Sequence, residues 1–385
     1  MAADSRKTQP DPPDVTGSPK RIVVLAGDGI GPEVTRAAVA VLRDCAAEFG
    51  HQFDFYEMPF GGNAIDLCGR PLPAETLIAC SGSDAVLLGA VGGTKWDSLS
   101  LGNRPEAGLL DIRRELGLFV NVRPIRLRPA LLHVSPLRPE RARDVDLEIV
   151  RELAGGIYFG EHVTEFRDGT DRASDLEIYS TPEIDRIARF AFERAARRGK
   201  HLTSIDKANI LASSVLWRRV VTQLGNDFPR VRLDHLYVDN AALQLVIAPQ
   251  QFDVIVTSNM FGDILSDGAA GVAGSLGLIP SMSWGLGPSL YEPIHGSAPS
   301  LAGRDVACPI GAILSAAMML RESFAMHTEA AAIESAVDRV LEAGVRTADL
   351  AAPGSTVVSC SEFTSRVRYA LHEHFSHAER YGWGV

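Results

Sequence analysis

RIVVLAGDGIGPEVTRAAVAVLRDCAAEFG, residues 21–50, is the stretch that decides the fold. An apolar, β-branched run from Ile22 fits a buried strand, GDGIGP makes a glycine-rich turn, and apolar residues then recur at helical spacing. The same alternation follows in FDFYEMP (53–59) as strand, PLPAETLIACSGS (71–83) as helix and DAVLLGAVGG (84–93) as buried strand. Strands alternating with helices imply a mainly parallel sheet with helices packed on it.

Farther along, VNVRPIRLRP opens the middle of the chain, VDLEIVREL reads as a strand and GGIYFGEH as a turn-rich segment. STPEIDRIARFAFERAARRGKH predicts a helix with Thr181 as N-cap, Pro182 at its first position, Glu183 in its first turn and Gly199 as its stop. LTSIDKAN, LDHLYVDNAALQLVIAP and QFDVIVTSNMFGDILSDGAAGVAGS continue the alternation. Gly285 to Pro309 is expected to be loop and not a core element, although it carries Glu292, His295 and Arg304. IGAILSAAMMLRESF and a helical tail follow. No repeat or low-complexity linker interrupts the chain, so any domain boundary lies inside the alternation.

Composition narrows the function classes. The 385 residues are 46% hydrophobic and 22% charged, which is ordinary for a globular protein and leaves ample core for two domains or one large interleaved unit. With 38 Lys plus Arg against 48 Asp plus Glu the formal charge is −10, and no long basic run offers a surface to nucleic acid or to an anionic membrane. An anionic substrate must therefore be drawn in by a local cluster of cations. Five scattered cysteines without a CxxC pair read as reduced thiols of a cytoplasmic protein without structural zinc. The apolar run GAILSAAMML is half of the ~20 residues a membrane span needs. Residues 1–20, polar with four prolines, are expected to be a disordered leader.

Four constellations could carry chemistry. GDGIGP resembles a dinucleotide fingerprint, but it reads G-x-G-x-G-P rather than G-x-G-x-x-G, and a tight turn requiring positive φ explains it as well as ligand contact does. In FGDILSD, Asp263 and Asp267 stand four residues apart, sharing one face of a helix. They are either solvated acids at a helix start or, with Asp239 from the apolar stretch HLYVDNAAL, ligands for a hard cation such as Mg²⁺ or Mn²⁺. Arg113, Arg123 and Arg151 are singly structural candidates, yet three guanidiniums converging on one pocket would grip a di- or tricarboxylic acid. Tyr158 in GGIYFGE is a packing residue by default. Lys207 lies between Asp206 and Asn209. Partial burial lowers a lysine pKa and a nearby cation that of a phenol, so the two could share proton transfer.

Together, GDGIGPEV, GAVGGTKWD, EAGLLDIRREL, NVRP, VREL, GGIYFGE, DKANIL, YVDNAA, FGDILSDGAA, GSLGLIPS, EPIHGSAPSLAG and ILSAAMML, in this order from Arg21 to about Phe324, resemble the isocitrate and isopropylmalate dehydrogenase family. The resemblance implies a two-lobed α/β/α sandwich that is not a Rossmann fold. Residues 21–120 with 273–385 would form the nucleotide-binding lobe, and 121–272 the lobe carrying substrate, metal and dimer contacts. It also implies a homodimer whose active sites borrow residues from the partner. In that family pattern Arg113, Arg123 and Arg151 resemble the clamp on the malate carboxylates, Asp263 and Asp267 metal ligands of one subunit, and Asp239 a metal and substrate ligand of the other. Lys207 resembles the base that takes the hydroxyl proton, again from the partner, and Tyr158 the acid that protonates carbon after CO₂ leaves.

The segment Glu106, Ala107, Gly108, Leu109, Leu110 resembles the isopropylmalate branch, in which two leucines, here with Ile210, wall the isopropyl group. The implied reaction is NAD-dependent oxidative decarboxylation of 3-isopropylmalate to 4-methyl-2-oxopentanoate (2-oxoisocaproate) in leucine biosynthesis. Another 3-alkylmalate, D-malate or tartrate is the enzymatic alternative, and a non-catalytic regulatory subunit the other. Cofactor contacts implied by the resemblance are Ile30, Asn209, Leu276, Gly277, Glu292, His295, Gly296, Ser297, Ala298, Ser300 and Cys308. Two of these depart from the NAD-linked pattern: Ser300 replaces the aspartate of HGSAPD, and Cys308 the asparagine of ANP. NAD is expected, while NADP stays open, because the lost aspartate would also have repelled a 2′-phosphate.

Overall fold

The computed structural model describes residues 18–381, without side chains beyond residue 373. Most of the expected leader, residues 1–17, lies outside the described residues. In chain order the strands of four residues or more are β1 (Lys20–Gly27), β2 (Phe53–Glu57), β3 (Ala85–Ala90), β4 (Leu118–Arg126), β5 (Asp146–Glu152), β6 (His162–Arg167), β7 (Thr170–Asp175), β8 (His201–Asp206), β9 (Arg232–Tyr237), β10 (Val254–Thr257), β11 (Pro280–Gly285) and β12 (Leu290–Pro293). Ten of them form one sheet in the order β2-β1-β3-β12-β11-β4-β5-β10-β8-β9. The outer segments are parallel, as the alternation predicts. The centre is antiparallel, with β11 pairing β12 and β4, and β4 pairing β5.

Alternate residues of each strand face opposite layers. Val23 and Leu25 of β1 pack with Val86, Leu88 and Ile112 under the short helices Gly61–Cys68, Ala74–Ser81 and Pro105–Glu115. Ile22 and Val24 face the helix Gly31–Phe49. In the other half of the sheet Asn259–Ala273 lies over β4 and β5 on one side, and Thr181–Arg197 over β5, β8 and β10 on the other. This is an α/β/α sandwich without a closed barrel, as expected for the fold class. Among the described residues no helix is long and apolar enough to cross a membrane.

Two local expectations are corrected. The Gly285–Pro309 segment contains β12, a central strand with Leu290 and Tyr291 fully buried. Its four residues are too few to register as a periodic pattern amid glycines and prolines. The N-cap of Thr181–Arg197 is Ser180, whose backbone N–H and hydroxyl both bond Glu183 at 2.7 and 2.6 Å. The cap thus sits one residue before Thr181, which puts Glu183 at the third helical position, where a capping box needs it. GGIYFGEH is turn-rich as expected, and it leads into the β6–β7 hairpin, exposed along its whole length.

Candidate functional site

Arg151 ends β5 with 2% of its surface exposed, and the register Asn121↔Arg151 sets Arg123 of β4 on the same side. The helix Asn259–Ala273 presses onto this face: a Cβ on Gly262 would come within 2.6 Å of the Arg151 side chain, so glycine is needed for the approach. That contact delivers Asp263, whose Oδ1 accepts from Arg151 Nη1 and, at 3.3 Å, from Arg123 Nη2. Arg123 also donates from Nη1 to Asp267 at 3.1 Å and to Ser266 Oγ at 2.7 Å, and from Nε to Asn121 Oδ1 at 2.8 Å. Arg113, near the end of helix Pro105–Glu115, donates to Glu292 of β12 at 3.1 Å, and its buried Nε has no partner. The predicted convergence of three arginines is therefore present, although Glu292, expected at the cofactor, is Arg113's partner.

Tyr158 closes the turn Gly156–Tyr158 and donates its hydroxyl to Asp263 Oδ2 at 3.0 Å. Burial opposes ionisation of Asp263, but the guanidiniums of Arg151 and Arg123 outweigh it and hold the carboxyl below the usual range. Asp267 goes the other way, raised by burial and by the charge of Asp263 against the pull of Arg123. Arg151 is lowered to about 10, by burial and by the like charges of Arg123 and Arg113, against Asp263. The expectation that a cation lowers the Tyr158 phenol is corrected: burial and the Asp263 carboxylate raise it more than Arg151 lowers it.

Lys207 and Asp239 lie elsewhere, after the ends of β8 and β9, and pair with each other at 2.6 Å. Apolar neighbours in sequence suggested that Asp239 is hard to expose. In the single chain its side chain is 67% exposed, and the Lys207 hydrogen bond leads the lowering of its pKa. Several apolar residues around it are themselves at the surface, Leu243, Val246 and Ile247 of helix Val238–Ile247 with Ile264 of the neighbouring helix, while Ala241 and Leu245 face the core. Ile210, expected beside Leu109 and Leu110, is 73% exposed, and Asn209 is exposed with it. Asp206 turns inward to a fork from Arg218, at 2.8 and 3.0 Å. No hydrogen bond or ion pair joins Lys207 or Asp239 to Tyr158, Asp263 or Asp267, and among the described residues no three His, Cys, Asp or Glu side chains gather closely enough for a metal ion.

The loops at the other end of Pro105–Glu115 form a third group. Glu106, Leu109, Leu110 and Arg113 share one face of that helix at i, i+3, i+4 and i+7 spacing; both leucines are half-buried. Exposed Glu106 leans over Gly92, where a Cβ would meet its Oε1 at 2.5 Å. In GDGIGP the tight-turn explanation holds. Gly27 and Gly29 have φ of 71° and 59°, and a Cβ on Gly29 would lie 1.9 Å from Ser297 O, to which Ile30 N–H donates at 2.8 Å. The glycine turn is thus docked on HGSAPS. There Ser297 is buried, Gly296 and Ser300 are exposed, and Ala298 has a strained φ of 38°. His295 bonds Gly296 O at 2.9 Å through Nδ1, while its occluded Nε2 has no partner. Gly277 covers Cys308, and beside it Leu276 is 40% exposed. Burial, with Asp349 nearby, raises the Cys308 thiol well above its usual range, which makes it an inert thiol.

Asp28, which the motif reading passed over, accepts from Gly62 N and Asn63 N at 2.8 Å each and from Gly92 N at 2.9 Å, tying three strand-to-helix loops together. Asn121, Ser266 and Asn259 were also missed as holders of the arginines. An acid between two glycines was a signal for Asp28. For the amides nothing local distinguishes a surface residue from a buried one.

A model of the family described as isocitrate/isopropylmalate dehydrogenase matches residues 21–367. The chain belongs to that family. Among relatives, the 3-isopropylmalate dehydrogenase of Geobacillus kaustophilus is 54% identical over 363 residues, covering 93% of this chain and 97% of the relative. That of Thermosynechococcus vestitus is 56% identical over 345 residues, covering 89% and 96%. Among solved structures, the isocitrate dehydrogenase of Methylococcus capsulatus superimposes with a TM-score of 0.82 at 32% identity, covering 91% of this chain and 99% of the other. A beta-decarboxylating dehydrogenase from Thermococcus kodakarensis gives 0.76 at 34% identity, covering 94% and 98%. This chain thus shares its overall fold with these dehydrogenases.

Proposed function

We propose that this family member oxidatively decarboxylates 3-isopropylmalate to 4-methyl-2-oxopentanoate with NAD and Mg²⁺ or Mn²⁺, a step of leucine biosynthesis, as a homodimer. The observation that carries the reading is the convergence of Arg113, Arg123 and Arg151 beside Asp263, Asp267 and Tyr158. Guanidiniums buried beside one another attract a dianion strongly, which offsets the repulsion set up by the −10 formal charge. The leucine pair one turn from Arg113 supplies an apolar wall for a branched alkyl substituent, and the names of the relatives favour isopropyl.

The residues fit both implied groups. Asp263 and Asp267 are hard oxygen donors on adjacent turns of one helix; the Asp267 carboxyl is raised first by burial and also by the Asp263 charge, a repulsion that a cation would relieve. The occluded, unpartnered Nε2 of His295 and the open Gly296 in a loop docked on GDGIGP suit a hydrogen-bonding nucleotide. When bound, a nicotinamide dinucleotide supplies the hydride acceptor and the divalent cation the Lewis acid. The arginines then hold the two carboxylates, Lys207 of a second copy takes the hydroxyl proton, and Tyr158 returns a proton to carbon. Asp239 joins the metal from that second copy. The exposed Leu243, Val246, Ile247 and Ile264 beside Asp239 are the surface such a copy would cover. In this reading residues 21–120 with 273–385 are the nucleotide-binding lobe and residues 121–272 the lobe of substrate, metal and dimer contacts.

The test is the absorbance of reduced nicotinamide with purified protein, comparing 3-isopropylmalate with other alkylmalates, D-malate, tartrate and isocitrate, NAD with NADP, and Mg²⁺ with chelator. Metal-dependent turnover that prefers isopropylmalate and NAD is expected. Preference for another malate overturns the substrate, NADP preference overturns the cofactor at Ser300, and silence on all of them overturns the reaction.

A further inference from the structure

Asn259 is the first residue of the helix that carries Asp263, and 1% of its surface is exposed. Its Oδ1 accepts from Nε and Nη2 of Arg151 at 3.0 and 2.8 Å, so one amide oxygen occupies one edge of the guanidinium fork. Its Nδ2 donates to Gly155 O at 3.0 Å, where the chain enters the turn that ends at Tyr158. Its backbone N–H donates to the Tyr179 hydroxyl at 2.9 Å. That hydroxyl lies directly beneath the same turn: Gly156 has φ of +75°, and a Cβ there would meet the Tyr179 oxygen at 2.4 Å. Buried Glu152 holds the turn from its other side, accepting from Ala154 N at 3.0 Å and Gly155 N at 2.8 Å.

We infer that Asn259 is a positioning residue that sets Arg151, the carboxylate clamp, relative to Tyr158, the proton donor; the inference rests on the reaction proposed above. Arg151 and Tyr158 end on the two oxygens of one carboxylate, Asp263, so their relative placement decides where a substrate between them would lie. A carboxylamide is the side chain this position requires, because it accepts with one atom and donates with another while carrying no charge. An acid would grip Arg151 as well but would neutralise it and could not donate to Gly155 O. An apolar residue would leave both the fork and the turn unheld.

Asn259→Asp, Asn259→Ala and Tyr179→Phe, assayed on whichever malate the wild-type protein turns over, test this. Both Asn259 variants lose the bond to the turn, so kcat should fall about tenfold in each. Only the aspartate cancels the guanidinium charge, so KM should rise about tenfold further in Asn259→Asp than in Asn259→Ala. Tyr179→Phe, which keeps the ring beneath Gly156, should lower kcat severalfold with KM unchanged; it carries the test if the Asn259 variants fail to fold. Values within about twofold of wild type, or the same kcat loss in all three with no KM difference between aspartate and alanine, overturn the inference. If the wild type turns over none of the malates, the proposed reaction falls, and crystal structures decide the positioning separately. Displacement of the Arg151 guanidinium and Tyr158 hydroxyl by about 1 Å in Asn259→Ala supports it, and unmoved side chains overturn it.

Discussion

β5 carries arginine–carboxylate networks on both of its faces, and they are built on opposite terms. On one, Arg113, Arg123 and Arg151 are buried together, and several of their bonds go to the neutral acceptors Asn121, Ser266 and Asn259. On the other, Glu148 receives Arg194 at 2.8 Å and Arg198 at 3.3 Å, with Glu322, Asp146 and Asp253 completing four carboxylates around two guanidiniums. Burial opposes the charge of Arg194 and Arg198, yet the surrounding acids more than reverse it and raise both. Arg151, with like charges for neighbours, is instead lowered to about 10. The second network sets four carboxylates around two guanidiniums, whereas the first sets Glu292, Asp263 and Asp267 beside three, so its cations have fewer anions each.

That contrast can be broken by mutation. Asp263→Asn should reduce kcat by about a thousandfold or more while circular dichroism shows a folded chain, because an amide is a far weaker ligand for a hard cation. Near-normal turnover would show that the first network is structural after all. Glu148→Gln should do the reverse, lowering unfolding free energy by about 3 kcal/mol in denaturant melts, since Arg194 and Arg198 lose their shared anion, with KM unchanged in the folded fraction. A KM shift would mean that the two faces are coupled. Leu109→Ala with Leu110→Ala should erase about 1–3 kcal/mol of preference for isopropyl over smaller substituents, read as ratios of kcat/KM. Unchanged ratios would remove the apolar wall.

Smaller effects sharpen the comparison. Cys45, Cys80 and Cys360 are raised to about 12, chiefly by burial, and Cys308 is raised further. Only Cys68 is exposed, so a thiol reagent should label one cysteine per folded chain, counted by mass spectrometry. His295 is lowered, mainly by burial, against the opposing pull of Glu292 and Asp349. The unfolded chain therefore binds its proton first, and stability should decline as pH falls through the ordinary histidine range, near 6.5. His295→Gln should flatten that part of the stability-against-pH curve; an unaltered slope would assign it to other groups, such as the similarly lowered His235.

Much of the fold was legible from sequence because its signals are contiguous. The strand–loop–helix unit at 21–50, the buried parallel strands and the capped helix at 181–197 follow from periodicity and cap chemistry within a few residues. The candidate site was marked by residue type together with the family resemblance: a guanidinium at the end of an apolar strand pointed to Arg151, while Asp263 and Asp267, one helical turn apart, were open to either reading until the resemblance was added. Asp239 misled because apolar neighbours in sequence need not share its face: Ala241 and Leu245 are buried while Asp239 and Leu243 are exposed. The short β12 went unseen because its four residues owe their place to β3 and β11, not to their own pattern.

The chain by itself determined the order of elements and which side chains could grip an anion or a hard cation, since backbone preference and chemistry reside in the residues. Only the tertiary structure decided which of those groups meet. The bonds of Asp28 to Gly92, of Arg113 to Glu292 and of Arg151 to Asn259 span 64, 179 and 108 residues. Pairings across such separations form only when the sheet brings distant strands side by side, and that same packing sets the dielectric and the neighbouring charges that tune Asp263, Asp267 and Tyr158.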